Sequence, residues 1–364
     1  MRHLHPLQAL CCALSIAVGL SQAAAETPNE VFQQVGHINT ADAIQQQGLI
    51  DIGGIKQWVS VRGHHKDNPI LLFLHGGPGF TVSPVSYYWM HDWEEYFTVV
   101  QWDQRAAGKT FAANDPAVLR PTMNIDRFVA DAEELITYLR KTYGKRRIVL
   151  MAHSWGTVIG TKLAQRHPDW LYAYVGMGQF TDFERSERLG YEATLAAARA
   201  AGNEQAVKDL EGIAPFPDAT HPERNLKNLP LERRWLATFD GYYWRGGFGH
   251  SEQLSQFSPD YTAADLDARN RGMGFSNESL WEQIGQVNLT TLHDFACPVI
   301  FLHGRHDLGT SAQVLAEWYP KINAPTKKLV WFEDSSHMVY EEEPGKLLVT
   351  LVNEVLPLTR DKAR

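Results

Sequence analysis

An apolar run, Ile148-Val149-Leu150-Met151, leads directly into Ala152-His153-Ser154-Trp155-Gly156, and a helical pattern follows. A serine on so sharp a strand-to-helix turn needs small residues two before and two after it, and Ala152 and Gly156 are small. The turn places the hydroxyl at the end of a sheet and the next backbone N–H at a helix N-terminus. To attack a carbonyl, such a serine needs a base, and the base needs a group that holds its tautomer and charge. Two later apolar runs supply candidates. Residues 298–302 run into His303-Gly304-Arg305-His306-Asp307, and residues 328–332 run into Glu333-Asp334-Ser335-Ser336-His337. Serine, acid and histidine in that chain order, each just past a strand, make Ser154, Asp307 and His337 the expected nucleophile, orienting acid and base. Glu333, Asp334 and His306 stand near enough to compete for these roles, and each residue alone also fits a plainer one: a buried turn serine, a loop salt bridge, a surface histidine. Acyl transfer further needs donors for the developing oxyanion. The Trp155 N–H is one; the second is expected from His75-Gly76-Gly77-Pro78-Gly79, where uncovered backbone lets the Gly77 N–H approach a carbonyl oxygen.

The elements that must hold these residues are strands alternating with helices. Residues 48–62 read as a hairpin with a Gly53-Gly54 turn. Apolar runs at 70–74, 97–102, 147–151, 171–175, 298–302 and 328–332 read as strands buried on both faces, with helices at 126–143, 158–164 and 347–356. This is an α/β fold with a mostly parallel sheet and helices on both faces. The rhythm breaks between about 181 and 292. Helical patterns at 184–201 and 203–210 give way to a Pro-rich polar stretch at 213–230. A segment dense in aromatics follows, among them Trp235, Phe239, Tyr242, Tyr243, Trp244, Phe248, Phe257 and Tyr261. The expected division is a leader at 1–25, a first core part at 26–180, a helical cap at 181–292 and a second core part at 293–364.

The leader reading rests on Arg2, a mostly apolar stretch at 7–20 and Ala23-Ala24-Ala25, a secretory signal with cleavage near Ala25 and export as its consequence. Cleavage removes Cys11 and Cys12 and leaves Cys297, so no internal disulfide is expected, and Cys297 reads as a small buried residue. The chain has 364 residues and a net charge of -8, which gives no electrostatic basis for binding nucleic acid or an anionic membrane surface, and no later segment is long enough to span a bilayer. His303 and His306 flank Asp307 without metal-ligand spacing, and His64-His65 reads as solvated surface. Asn277-Glu278-Ser279 and Asn288-Leu289-Thr290 are glycosylation sequons that matter only in a eukaryotic secretory route.

His75-Gly76-Gly77-Pro78-Gly79, Trp102-Asp103-Gln104-Arg105-Ala106-Ala107-Gly108-Lys109-Thr110 and Ser154-Trp155-Gly156 together resemble the proline iminopeptidase family, a branch of the α/β-hydrolase fold, peptidase family S33. The resemblance runs over essentially the whole chain after the leader, outside the insertion. It implies a helical cap, a Ser/Asp/His triad at the three residues already reached, removal of an N-terminal proline or similar residue from a small peptide, and no metal or cofactor. Three departures stand out: Ala152-His153 where the family has Gly-Gly, Ala106 where it has Gly after Asp-Gln-Arg, and a loose echo, Trp235-Leu236-Ala237-Thr238-Phe239-Asp240-Gly241, of a cap motif whose Glu holds the substrate amine. Asp240 is the expected amine anchor, with a cap surface acid as the plainer reading. Trp235 and Phe239 are expected to line the substrate pocket or, equally, to form the small core of the cap. Asp103 and Arg105 read as paired supports of the loop beside the site. The alternatives in function are a carboxylesterase or lactonase with the same triad, which needs no amine anchor, and a catalytically silent binding protein on the same fold. Epoxide hydrolases and dehalogenases of this fold carry aspartate at the elbow, so Ser154 speaks against them.

Overall fold

The computed structural model describes residues 26–246 and 250–360. The expected leader at 1–25, with Cys11 and Cys12, and Phe248 of the aromatic segment lie outside the described residues.

An eight-stranded sheet runs in the order β1-β2-β4-β3-β5-β6-β7-β8. β1 (Ile44–Ile52) and β2 (Ile55–Gly63) form the leading hairpin, turned by Gly53 and Gly54 at φ of 59° and 75°. Two consecutive left-handed residues match the right-handed twist of the strands they join, which favours glycine at both. β2 pairs antiparallel with β4 (Thr98–Trp102); β3 (Ile70–Leu74), β5 (Ile148–His153), β6 (Leu171–Met177), β7 (Val299–Gly304) and β8 (Lys327–Phe332) complete the parallel part. β3, β4, β5 and β7 are buried throughout, because helices cover both faces. β8 differs from the expected double burial. As an edge strand it leaves Lys327 and Lys328 in solvent, with only Phe332 fully buried.

Two apolar cores lie on the two faces of the sheet. One gathers Leu72, Leu74, Leu150, Phe128, Trp155 and Phe301; the other gathers Phe73, Trp89, Met151, Met177, Leu302 and Tyr340. Alternate residues of one strand feed opposite cores, as the two-residue period of a strand requires.

Between β6 and β7 the described residues form helices and no strand: Phe183–Ala200, Glu204–Gly212, Glu223–Thr238, His250–Ser255 and Ala263–Gly285. The insertion is a closed excursion. Asp182 and Asn288 bridge at its base, and the Leu289 N–H returns to the Thr181 carbonyl at 2.7 Å. It has its own small core of Tyr191, Ala198, Leu210, Ile213 and Phe216. The helix Glu223–Thr238 runs through Pro230, although a proline forfeits one backbone hydrogen bond there. Burial of Leu236 and the packing of Leu229 and Leu231 on the cap core hold it in place. Among the described residues, no helix is long and apolar enough to cross a membrane.

Candidate active site

β5 ends at His153, and Ser154 adopts φ 51° and ψ -122° before the helix Trp155–Arg166 begins. A serine at positive φ is strained by roughly 1–3 kcal/mol, which the surroundings must impose. They do so from three sides. The Ser154 N–H donates to the Met177 carbonyl at 3.0 Å, locking the turn to β6. A Cβ on Gly156 would run into the Leu74 carbonyl of β3, so only glycine lets the helix start this close to the sheet. A Cβ on Gly160, one turn later, would meet Tyr174 and, at 3.1 Å, the Ala152 side chain. Small residues around the serine are thus required by backbone and ring atoms that cannot retreat.

Asp307 and His337 meet. His337 Nδ1 lies 2.8 Å from Asp307 Oδ2, and both residues are buried. Asp307 also accepts the Thr310 N–H and hydroxyl, each at 2.8 Å. Burial alone would raise the Asp307 carboxyl, but the charge and hydrogen bond of His337, with His303 and the Thr310 N–H, bring it down to about 2. An ionised Asp307 assigns the proton of the imidazole to Nδ1, which leaves Nε2 as a base. The competitors stand apart from this pair: Glu333 pairs with Arg305, Asp334 is exposed, and the His306 ring lies flat under Trp244 at 3.4 Å. His303 accepts the Gln179 N–H and donates to the Thr310 carbonyl, so both its nitrogens are used. The His337 ring comes to the elbow beside His153, with centroids 4.7 Å apart, and Gly178 makes room for both. Burial, with the neighbouring His337, holds His153 down at about 3, so it stands beside His337 uncharged.

The two motif loops are tied to the elbow through Gln104. Its N–H donates to His75 Nε2 at 3.1 Å, its amide NH₂ donates to the His75 carbonyl at 2.9 Å, and its amide oxygen accepts the Trp155 indole N–H at 3.2 Å. His75 Nδ1 donates to the Gly76 carbonyl at 2.8 Å. Within a trans peptide the N–H points opposite to the carbonyl, so this bond fixes the direction of the Gly77 N–H. Gly76 packs on Ser154, and Gly77, at φ 114°, is exposed. Trp155 occupies the first position of its helix, where the backbone N–H has no partner within the helix.

Asp103 and Arg105 do not pair. Asp103 accepts from the Thr81 and Ser83 hydroxyls, the Lys109 N–H and the cap residue Tyr261. Arg105 instead grips Asp131 with two hydrogen bonds, 2.8 and 3.1 Å, and donates to Thr122 and the Gly53 carbonyl. Each side chain finds its own buried partner.

In the cap, Trp235 and Phe239 pack on the cap's small core, where Trp235 also donates to Asp209 at 3.1 Å. Asp240 is partly exposed at φ 63° and accepts the Gly246 N–H at 3.3 Å. A stronger acidic site has no local signature in the sequence. Glu187 and Glu232 are both buried, from two different cap helices, and Arg233 bridges them with one guanidinium nitrogen to each. Glu187 Oε2 and Glu232 Oε1 are buried with no protein donor. Two carboxylates on one guanidinium leave a net negative charge out of water. Burial pushes Glu232 up to about 7, against the pull of Arg233, with Glu187 adding to the rise. The triplet lies on the cap side of His337. Gly190, one turn from Glu187, abuts the Leu308 carbonyl next to Asp307. Tyr242, whose hydroxyl feels Arg233, Glu232, Glu187 and Asp307, sets its ring 5.6 Å from that of His337.

A family model described as alpha/beta hydrolase fold matches residues 69–344. A probable aminopeptidase of Bacillus subtilis is 28% identical over 310 residues, covering 83% of this chain and 93% of that protein. A proline iminopeptidase of Heyndrickxia coagulans is 24% identical over 330 residues, covering 84% and 96%. Among solved structures, a proline iminopeptidase of Mycobacterium smegmatis superposes with a TM-score of 0.64 at 18% identity, over 86% of this chain and 98% of that one. At that identity the structural likeness is one of fold.

Proposed function

The chain belongs to the alpha/beta hydrolase fold family, and from that premise we propose that it is a serine aminopeptidase, releasing an N-terminal proline or similar residue from small peptides. Ser154 attacks the carbonyl while His337 Nε2 takes its proton. Asp307 stabilises the imidazolium, and the Gly77 and Trp155 N–H groups receive the oxyanion. His337 then protonates the leaving amine and activates water to release the acyl group.

The observation that carries the aminopeptidase reading, over ester hydrolysis alone, is the Glu187–Arg233–Glu232 triplet. A neutral acyl chain has no use for a buried net negative charge with two free carboxylate oxygens. A substrate ammonium supplies both the missing donors and the missing positive charge, and hydrogen bonds to charged groups are worth about 1.5–3 kcal/mol each. The similarity to a probable aminopeptidase and a proline iminopeptidase supports the aminopeptidase reading. Glu187 and Glu232 replace Asp240 as the proposed anchor.

The test is a paired assay of the purified chain on prolyl and other aminoacyl arylamides beside short acyl esters. Turnover of free-amine substrates, lost in Ser154→Ala, is the expected result. Turnover of esters with none of any free-amine substrate leaves the carboxylesterase or lactonase reading in its place, and activity retained in Ser154→Ala removes Ser154 as nucleophile.

A further inference from the structure

The segment that carries His337 is held by its backbone donors. The Asp334 N–H donates to Glu343 at 3.2 Å, the Ser336 N–H to Glu342 Oε2 at 2.7 Å, and the His337 and Met338 N–H groups both to the Tyr242 carbonyl, at 3.0 and 3.2 Å. The other oxygen of Glu342, Oε1, accepts the Trp244 N–H. One carboxylate therefore grips two segments distant in sequence: the residue before His337, and the strip Gly241-Tyr242-Tyr243-Trp244 by which the cap chain crosses the site. The same strip is bonded to the Asp307 loop, where the Leu308 N–H reaches the Gly241 carbonyl at 3.3 Å and the Ser336 hydroxyl reaches it at 2.8 Å. The adjacent glutamates are differently employed. Glu341 accepts the Tyr243 hydroxyl, and Glu343 accepts the Ser335 hydroxyl as well as the Asp334 N–H.

We propose that Glu342 is a positioning residue for His337: its two oxygens clamp the Ser336 and Trp244 N–H groups together and so set where the imidazole stands at Ser154. It touches neither substrate nor reacting atoms. The inference rests on the reading of Ser154 as nucleophile and His337 as base. The chemistry requires a carboxylate rather than any side chain of that shape. A glutamine offers one acceptor oxygen and turns its NH₂ toward the second N–H, leaving that donor unsatisfied. The strip relaxes, and a displacement of about 1 Å at a catalytic group costs up to about a hundredfold in rate.

The experiment follows covalent inactivation of the full chain by an organofluorophosphonate, in which Ser154 displaces fluoride from phosphorus and His337 accepts the serine proton. The reaction needs the base and the oxyanion donors but no amine anchor, so it is independent of the aminopeptidase assignment. The end-point gives the number of competent sites, so unfolded protein does not enter the rate. The expected result is that Glu342→Gln labels to the wild-type stoichiometry with a second-order rate about 10- to 100-fold lower, while Glu343→Gln stays within about threefold of wild type. A Glu342→Gln rate equal to wild type overturns the inference, as does an equal slowing in Glu343→Gln, which would mark general bracing of the loop. A wild-type chain that does not react overturns the Ser154 reading, and the inference with it.

Discussion

At Glu232 the cap and the chemistry meet in one titration. Burial holds this carboxyl near 7, so below that pH it carries a proton and offers one hydrogen-bond acceptor less and no charge to an ammonium. The substrate α-amine loses its own proton near 8. With Glu232 as the proposed anchor, productive binding of a free-amine substrate requires Glu232 ionised and the amine protonated, which confines it to a narrow window around pH 7–8. The measurement is KM against pH for a prolyl arylamide: it is expected to rise as pH falls below about 7. An acyl ester assayed in parallel lacks this rise, and Glu232→Gln removes it from the arylamide profile. A KM that stays flat between pH 6 and 7.5 argues against Glu232 as the anchor.

At the level of elements, the motifs are legible because each writes a local signal. The glycine pair of the hairpin, the small residues around Ser154 and the apolar runs into Asp307 and His337 all report constraints within a few residues. What escapes is pairing across distance. Glu187 and Glu232 sit on separate helices, and nothing local says that both acids turn inward onto one guanidinium. The partner of Arg105 escapes for the same reason, since Asp131 lies on the helix Ile125–Thr142. That ion pair is fully buried, so Arg105→Ala leaves Asp131 with Arg127 as its one remaining ion-pair partner and the Gly53 carbonyl without its donor. Denaturant unfolding is expected to show a loss of about 1–3 kcal/mol, with turnover per folded molecule near wild type. A loss under about 1 kcal/mol contradicts the bracing role.

At the scale of the molecule, a split α/β core carries the proposed reaction machinery, and a closed helical excursion from it carries the proposed specificity. Stability falls to two apolar cores, the buried ion pair and the hydrogen-bonded strip between cap and core. Among the described residues there is one cysteine, Cys297, buried, with burial raising its thiol to about 11. We propose that the chain acts after export with residues 1–25 removed. Thiol titration checks this: the native protein is expected to show no reactive thiol and the unfolded protein one. Three thiols after unfolding mean that Cys11 and Cys12, and the leader, are retained. The measurement that reaches the central claim most directly compares kcat/KM on a prolyl arylamide with that on an acyl ester, for wild type, Glu187→Gln, Glu232→Gln and Asp240→Asn. Losing one charge-assisted hydrogen bond is expected to cut the arylamide value about 10- to 100-fold in each glutamate variant, with the ester value within about threefold of wild type and Asp240→Asn unchanged on both. Equal losses on arylamide and ester in the glutamate variants, or an amine-selective loss only in Asp240→Asn, would contradict it.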